Sequence, residues 1–374
     1  MSGGLAASDL ATSDFAGWGP RGTAGVSFAA ALAFDEVDVK LGGRTVLDHF
    51  SLRMTPGEIV CLLGESGSGK STILRAAAGI QPIHGGTIRI NDRVVSGPGV
   101  QVPPDRRGIG LMFQDFALFP HLTLLGNVLF GLKPLGRKAA LAQARQALRR
   151  VGLAGRESDY PHMLSGGQQQ RLALARSIAP RPGVLMLDEP FSSLDARMRE
   201  SVRNETLAVL RETHATTIIV THDPEEAMLL GDRVALLRHG RIAQIDTAAQ
   251  IYQSPVDLAA ARFFSPLGEI AATVQGGEAA TPLGRVPAPG HADGTRVIVA
   301  IRPVGVLEMA RSGPGVPGRI VSKRDAIGID LCEVKVEGLD APIEVRQRSD
   351  AHFAPGNDVF LILNANRVLV FRAD

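Results

Sequence analysis

Two cysteines, one tryptophan and two tyrosines are all that this chain holds of those residues, and aromatics make up only 5% of its 374 positions. Cys61 and Cys332 stand far apart, without the short spacing of a metal-binding pair. Both fall in strand-like runs, so they are expected to be buried reduced thiols, which a reducing compartment permits. No apolar run reaches the roughly 18 residues that a membrane-spanning helix needs. The N-terminus has no Lys/Arg cluster ahead of an apolar core, so no secretory signal is expected. The net charge is only +2, which gives no reason to expect nucleic acid as a partner. These absences point to a soluble, cytoplasmic protein, able to dock on a membrane protein but not to cross the membrane. The length suffices for two or three domains with sizeable cores.

What is present is organised around Ile59–Leu74. The apolar run Ile59–Leu63 reads as a buried strand, and Gly64-Glu65-Ser66-Gly67-Ser68-Gly69-Lys70-Ser71 follows the pattern G-x-x-x-x-G-K-[ST]. A helix-compatible stretch begins at Thr72. Glycines in such a loop let successive backbone N–H groups turn inward around phosphate oxygens, and the helix start adds partial positive charge. Lys70 is placed to reach the β- and γ-phosphates and Ser71 to hold Mg²⁺.

Around this loop the chain falls into segments. Residues 1–33 are rich in Gly, Ala and Ser, carry only Asp9, Asp14 and Arg21 as charges, and read as a disordered tail with Trp18 a passive member. Residues 34–250 form an α/β pattern: strands are expected near Phe34–Val39, Thr45–Met54, Thr87–Ile90, Ile109–Phe113, Val184–Asp188 and Thr217–Thr221, with a Pro/Gly loop over Val95–Asp105. Residues 115–180 read as an inserted helical subdomain, with strong helices over Ala139–Val151 and Ser165–Ala179. A further helix spans Ala196–Thr213. Residues 251–374 carry short strand-like runs between Gly/Pro turns, the pattern of a small β-barrel or sandwich.

Two more constellations carry chemistry. Val184–Glu189 gives four apolar residues and then Asp-Glu: a carboxylate at a strand end beside a phosphate loop can hold Mg²⁺, and the next, Glu189, can accept a proton from an attacking water. Leu164-Ser165-Gly166-Gly167-Gln168 places Ser and two glycines at a helix start, a second anion-receiving terminus. One chain already has a phosphate cradle, so a second suggests two copies enclosing two nucleotides.

Taken together, residues 34–374 resemble an ABC transporter ATPase. Gly64–Thr72 looks like the Walker A motif; Gly64, Ser66, Gly67, Ser68, Gly69, Lys70, Ser71 and Thr72 are thereby implied in nucleotide binding. Gln114 sits where the family's Q-loop glutamine coordinates Mg²⁺ and senses the permease. Ser165, Gly166, Gly167 and Gln168 match the family signature, which contacts the γ-phosphate across a homodimer. Asp188 and Glu189 look like Walker B and its catalytic glutamate, Asp195 like the D-loop aspartate, and His222 like the switch histidine. Leu41 occupies the place of an aromatic that stacks on adenine: apolar contact survives, ring stacking does not, and Phe34 is a candidate substitute.

The resemblance implies an α/β P-loop NTPase with a RecA-like core and inserted helical subdomain, followed by a small all-β OB-like (TOBE-like) regulatory domain, in which Ile301-Arg302-Pro303 matches a recurring segment. It implies ATP and Mg²⁺ as cofactors, a homodimer, transmembrane permease subunits, an indirect periplasmic substrate-binding protein, and a peripheral place on the cytoplasmic face of the inner membrane. The stretches Pro103–Arg107 and Phe113–Thr123 look most like ferric-iron importers, with polyamine, thiamine, sulfate and maltose-type relatives sharing much of them. A DNA-repair ATPase of the same superfamily would need long heptad arms or a basic surface, which are not visible. The intact Asp188-Glu189-His222 set argues against a non-hydrolysing adaptor, and the C-terminal β domain argues against an exporter.

Overall fold

The computed structural model describes residues 18–349 and 353–373. The chain divides into two compact units, with the break between Ala248 and Ala249. In chain order the first unit runs β1 (Leu32–Leu41), β2 (Arg44–Met54), β3 (Ile59–Leu63), α1 (Lys70–Ala78), β4 (Gly85–Ile90), β5 (Arg93–Gly97), β6 (Val100–Gln101) and β7 (Ile109–Met112). It continues with α2 (Leu124–Leu129), α3 (Arg137–Arg150), α4 (Gly166–Ile178), β8 (Val184–Asp188), α5 (Ala196–Thr213), β9 (Thr216–Thr221), α6 (Pro224–Leu230), β10 (Arg233–Arg238) and β11 (Arg241–Asp246).

Two sheets result. One is antiparallel, in the order β2-β1-β4-β5-β6. The other runs β11-β10-β3-β9-β8-β7, parallel throughout except for β11. Parallel strands buried on both faces need continuous apolar sequence. Every residue of β3, β8 and β9 is buried, as their runs IVCLL, VLMLD and TTIIVT require. The two sheets share one core, in which Phe34, Phe50, Leu62, Ile73, Met186 and Val220 are closed off from solvent. The helices α2, α3 and α4 pack on one another as the inserted subdomain.

Residues 95–105, expected as a loop, contain a β5–β6 hairpin and a 3₁₀ turn over Pro104–Arg106. Arg107 is the reason this segment is fixed. It is 4% exposed and donates from Nε to the Val102 carbonyl, from Nη2 to Ser96 Oγ, and from Nη1 to the Ala76 and Ala77 carbonyls. It thereby supplies a cation and donors to the C-terminal end of α1, where carbonyls lack intrahelical partners.

The expected disordered tail is corrected for residues 18–33; residues 1–17 lie outside the described residues. Residues 18–31 form a strap across the first unit. Trp18 lies under the Arg171 guanidinium of α4, and Gly19 exchanges two bonds with Arg150 of α3. Gln146 donates to the Thr23 carbonyl, Arg21 pairs with Glu205 of α5 at 2.7 Å, and the Ala24 amide donates to Glu212. Ser27 and Ala30 then bond the backbone at Thr213 and Gly183. Composition misled here because the strap is held by backbone amides and a few cations rather than by apolar side chains.

Beneath the strap, the wholly buried Arg150 is clamped by two carboxylates of α5, Glu205 at 3.4 Å and Glu212 at 2.7 Å. Burial by itself would raise the Glu212 carboxyl. Arg150 and the amides of Gly22 and Ala24 outweigh it and hold the group below its ordinary value of 4.5.

The second unit opens with α7 (Ala248–Gln253, starting at the break) and α8 (Leu258–Phe264), two short helices that strand patterning did not suggest. The rest is β: β12 (Gly268–Gln275), β13 (Glu278–Thr281), β14 (Gly284–Pro287), β15 (Arg296–Ile301), β16 (Leu307–Ala310), β17 (Val316–Asp325), β18 (Ile329–Val336), β19 (Ile343–Arg348), β20 (Asp358–Leu363) and β21 (Leu369–Arg372). They form two five-stranded antiparallel sheets, β14-β13-β12-β15-β21 and β16-β20-β17-β18-β19, around one core in an OB-like arrangement. Strands β12 to β14 escaped the sequence reading because GEIAATVQ, EAAT and GRVP have few β-branched residues; they are held by pairing in turn, β14 on β13, β13 on β12 and β12 on β15. Arg302 of the Ile301–Pro303 segment stacks on Tyr252, 3.8 Å from the ring centroid, and donates to the Tyr252 carbonyl, which ties α7 to the end of β15. Cys61 and Cys332 are buried and free, as expected. Among the described residues no helix is long and apolar enough to cross a membrane.

Arg150→Ala would strand Glu205 and Glu212 without their shared cation. It should lower apparent stability at pH 7 by about 3–5 kcal/mol. Because the folded-state Glu212 carboxyl is depressed, the interaction is complete above pH 4.5 and lost as pH falls through the folded value, so the deficit should shrink in acid. Urea unfolding of the two proteins at pH 7 and at pH 4 checks both signs.

Candidate functional site: a phosphate cradle at the carboxyl ends of the parallel strands

β3 ends at Leu63, and the loop Gly64–Gly69 carries the chain into α1. Gly69 adopts φ +104° as the residue before the helix, and a Cβ there would lie 2.8 Å from Leu47. Gly64 is needed for space: a Cβ would lie 2.4 Å from the Leu237 carbonyl oxygen. Ser66 and Gly67 are exposed at the tip of the loop, whereas Ser68 is buried. Lys70, the first residue of α1, is 6% exposed and folds back over the loop, donating to the carbonyls of Gly64 and Glu65 at 2.8 Å each. Burial lowers the ammonium's affinity for its proton, and the carboxylates of Glu189 and Asp188 oppose that shift. A desolvated cation held by two neutral carbonyls is a receptor for an anion of higher charge.

Behind the lysine, Ser71 Oγ donates to Asp188 Oδ1 at 3.0 Å. Asp188 ends β8 and is 6% exposed. Burial pushes its carboxyl up; the Ser71 hydrogen bond opposes this and Glu189 adds to it. Ser71, Asp188 and Gln114 line one cleft of about 620 Å³, together with Arg75, Ser192 and Ser193. A hydroxyl, a carboxylate and an amide form a hard oxygen donor set, suited to Mg²⁺ rather than to a soft metal.

Glu189 departs from the strand that precedes it. Its φ is +44°, a left-handed conformation rare outside glycine, while its amide donates to the Val220 carbonyl at 3.0 Å. Such a backbone costs of order 1 kcal/mol or more and persists where the surroundings over-determine it. The turn delivers the carboxylate to a meeting of three elements: Glu189 Oε2 lies 3.3 Å from Gln114 Nε2 and 3.2 Å from His222 Nδ1. His222 follows β9 directly and is more than half exposed. Residues 114, 189 and 222, widely separated in sequence, thus share one point.

Gln114 hangs on a loop with strain of its own. Phe116 and Ala117 have φ of +62° and +43°. Their carbonyls are held by Arg176 of α4 at 2.7 Å each, while buried Asn127 donates to the carbonyls of Phe119, Leu122 and Thr123. Sequence reasoning missed both residues. An Arg inside a helix and an Asn in an apolar helix carry no motif.

The structure separates the remaining motif. Ser165 caps α4, with its Oγ accepting from the Gln168 amide and Gln168 Oε1 accepting from the Ser165 amide. Gly166 is open to solvent. Among the described residues no hydrogen bond or ion pair joins Ser165–Gln168 to residues 64–72. Asp195 caps the start of α5 through the Met198 amide. Leu41 ends β1 and is 43% exposed; Thr72 is half-buried in α1. Phe34 is wholly buried, edge-on to Phe50 with ring centroids 5.2 Å apart, so it cannot take a place beside a base.

Comparison with known proteins agrees with this geometry. A family model described as "ABC transporter" matches residues 47–192. The "Fe(3+) ions import ATP-binding protein FbpC" of Streptomyces coelicolor is 46% identical over 278 residues, covering 74% of this chain and 78% of that protein. The chain belongs to the ABC transporter family. Within this ABC protein the nucleotide is ATP, and the chain is an ATPase. The "Sulfate/thiosulfate import ATP-binding protein CysA 2" of Chromobacterium violaceum is 43% identical over 74% of the chain and 75% of that protein. Two dimeric structures of the ATP-binding cassette MJ0796, one of them bound to ADP and Pi, match at 29% identity with TM-scores of 0.52 and 0.50, covering 58% of this chain and 98% of theirs.

Lys70→Ala removes the charge-assisted bonds that the loop offers a phosphate, each worth about 1.5–3 kcal/mol. ATP affinity, measured by titration with a fluorescent analogue, should fall about tenfold to a hundredfold.

Proposed function

We propose that this ABC ATPase powers an importer whose cargo is ferric iron. The observation that carries the hydrolytic part is the convergence of Gln114, Glu189 and His222 beside the Ser71–Asp188 pair. Lys70 and the amides of Gly64–Ser71 receive the β- and γ-phosphates. Ser71, Asp188 and Gln114 would hold Mg²⁺, which when bound neutralises phosphate charge during transfer. Glu189 accepts the proton of the attacking water, and His222 orients the base and the γ-phosphate. Leu41 contacts the adenine by apolar surface alone.

The dimeric MJ0796 cassettes support a two-copy arrangement, in which Ser165, Gly166, Gly167, Gln168 and Asp195 of one copy complete the site of the other. The exposed, internally capped start of α4 is free to do so. Permease subunits would dock near Gln114–Pro120, with the chain peripheral on the cytoplasmic face and a periplasmic binding protein delivering cargo to the permease. The iron assignment rests on the iron-import name of the Streptomyces relative and on Pro103–Arg107 and Phe113–Thr123; the sulfate importer at 43% identity supports the second reading.

Glu189→Gln should keep ATP affinity within about threefold while phosphate release falls about a hundredfold or more. The ATP-bound protein should then run as a stable dimer in size-exclusion chromatography; unchanged turnover would sink the base assignment. For cargo, disrupting the gene should abolish uptake of radiolabelled ferric iron and spare sulfate uptake, and the reverse pattern would select the sulfate reading.

A further inference from the structure

Behind the Glu189–His222 pair lies a small chamber of about 40 Å³, lined by Glu189, Ser192, Arg199, Thr221, His222 and Glu226, with Asp223 at its edge. That is room for a water, which needs about 10–15 Å³. Glu226, on α6, is 5% exposed and belongs to none of the motifs above. Thr221 Oγ1 donates to its Oε2 at 2.7 Å and accepts from the Asp223 amide at 3.0 Å. The residue between those two is His222. A buried carboxylate therefore fixes, through one hydroxyl, the turn that presents the histidine to Glu189.

The other side of the chamber belongs to α5. Arg199 lines the chamber with Glu226 and donates to the Leu194 carbonyl at 3.1 Å, and Arg203 pairs with Glu225 at 3.6 Å. The Nε atoms of both guanidiniums are buried without a partner, which is costly unless something else satisfies them. A water in the chamber would serve the Arg199 donor and bridge it to the Glu226 carboxylate. Burial pushes the Glu226 carboxyl up; Asp223 adds to this, and Thr221, Arg199 and Arg203 oppose it. A neutral amide of the same shape is accordingly a reasonable substitute at this position.

We propose that Glu226 is a positioning residue for ATP hydrolysis: through Thr221, and through a water shared with Arg199, it holds the Thr221–His222–Asp223 turn against Glu189 and links it to the start of α5. The inference rests on the hydrolytic roles proposed for Glu189 and His222. Displacing a catalytic group by about 1 Å can cost about a hundredfold in rate without altering ground-state binding.

The test is phosphate release against ATP concentration for the full-length chain and its variants. Glu226→Ala and Thr221→Val should each lower kcat about tenfold or more with KM within about twofold of the parent. Glu226→Gln, whose amide oxygen still accepts from Thr221, should recover kcat to within about threefold. The Thr221→Val/Glu226→Ala double variant should lose clearly less than the product of the two single losses, since both changes cut one linkage. The proposal is overturned if kcat stays within about twofold in the single variants, if the loss appears in KM, or if the double variant shows additive loss. Should Glu226→Ala fail to fold, Thr221→Val and Glu226→Gln carry the same distinction. Glu189→Gln run alongside separates the two levels: normal turnover there defeats the hydrolytic reading, whereas a dead Glu189→Gln beside fully active Glu226→Ala and Thr221→Val variants defeats only this inference.

Discussion

The register of three parallel strands governs everything that happens at the phosphate cradle. Leu63 at the end of β3 pairs with Thr221 at the end of β9, and Asp188 at the end of β8 pairs with Val220. Gly64 and His222 are therefore level, and Glu189 sits one step from both. A parallel sheet with aligned carboxyl ends gathers whatever follows each strand at a single edge, which is why open α/β sheets bind ligands there. The ladder is rigid because β3, β8 and β9 are buried along their whole length. A slip of one residue would carry Asp188 away from Ser71.

Arginines that are buried (Arg107, Arg150) or half-buried (Arg176) do the complementary work of joining elements that the ladder does not reach. Arg107 closes the C-terminal end of α1, so the helix that bears Lys70 and Ser71 is fixed at both ends. Arg150 fastens α3 to α5 through two carboxylates, and Arg176 grips the strained Phe116–Ala117 carbonyls, so α4 and the loop carrying Gln114 move together or not at all. Burial depresses Arg107 and Arg176, which is the cost of taking a guanidinium out of water; their directional donors to backbone carbonyls offset it. Apolar packing alone would leave these joints free to slide. A planar fork with several donors sets them in one orientation.

How much of this could be read in the sequence depends on the kind of force involved. The strands β3, β8 and β9 and the loop Gly64–Ser71 were legible because continuous burial and glycine geometry impose local patterns. The α4 cap at Ser165 was legible for the same reason. The strap over residues 18–31 was not, since backbone amides bonded to Thr213, Gly183 and Glu212 leave no mark on composition. Strands β12 to β14 were hidden by alanine and glycine and exist through pairing, β12 with β15, β13 with β12, and β14 with β13. In the site, each residue at the Glu189 junction was visible singly, but the left-handed turn at Glu189 that brings them together was not, because nothing in Asp-Glu-Pro demands φ of +44°. Phe34 was misjudged because an aromatic in an alternating strand can face outward or inward; the Phe50 contact decides for the core.

The two-copy arrangement proposed above would divide the site between a phosphate cradle in one copy and the start of α4 in the other. Within one copy Lys70 donates to the carbonyls of Gly64 and Glu65, and Ser71 donates to Asp188. At the start of α4, by contrast, Ser165 and Gln168 cap each other, Arg156 also donates to Gln168 Oε1, and Gly166 is bare. An anion arriving at α4 would meet backbone amides beside the Arg156 guanidinium, and one arriving at the P-loop would meet a lysine that must release two carbonyls. Under the two-copy arrangement proposed above, a triphosphate held first by Lys70 would present its terminal charge to the second copy's α4 as the remaining unmet acceptor. Closure would then be driven by the nucleotide, and cleavage of the terminal phosphate would remove the charge that the second copy came to meet.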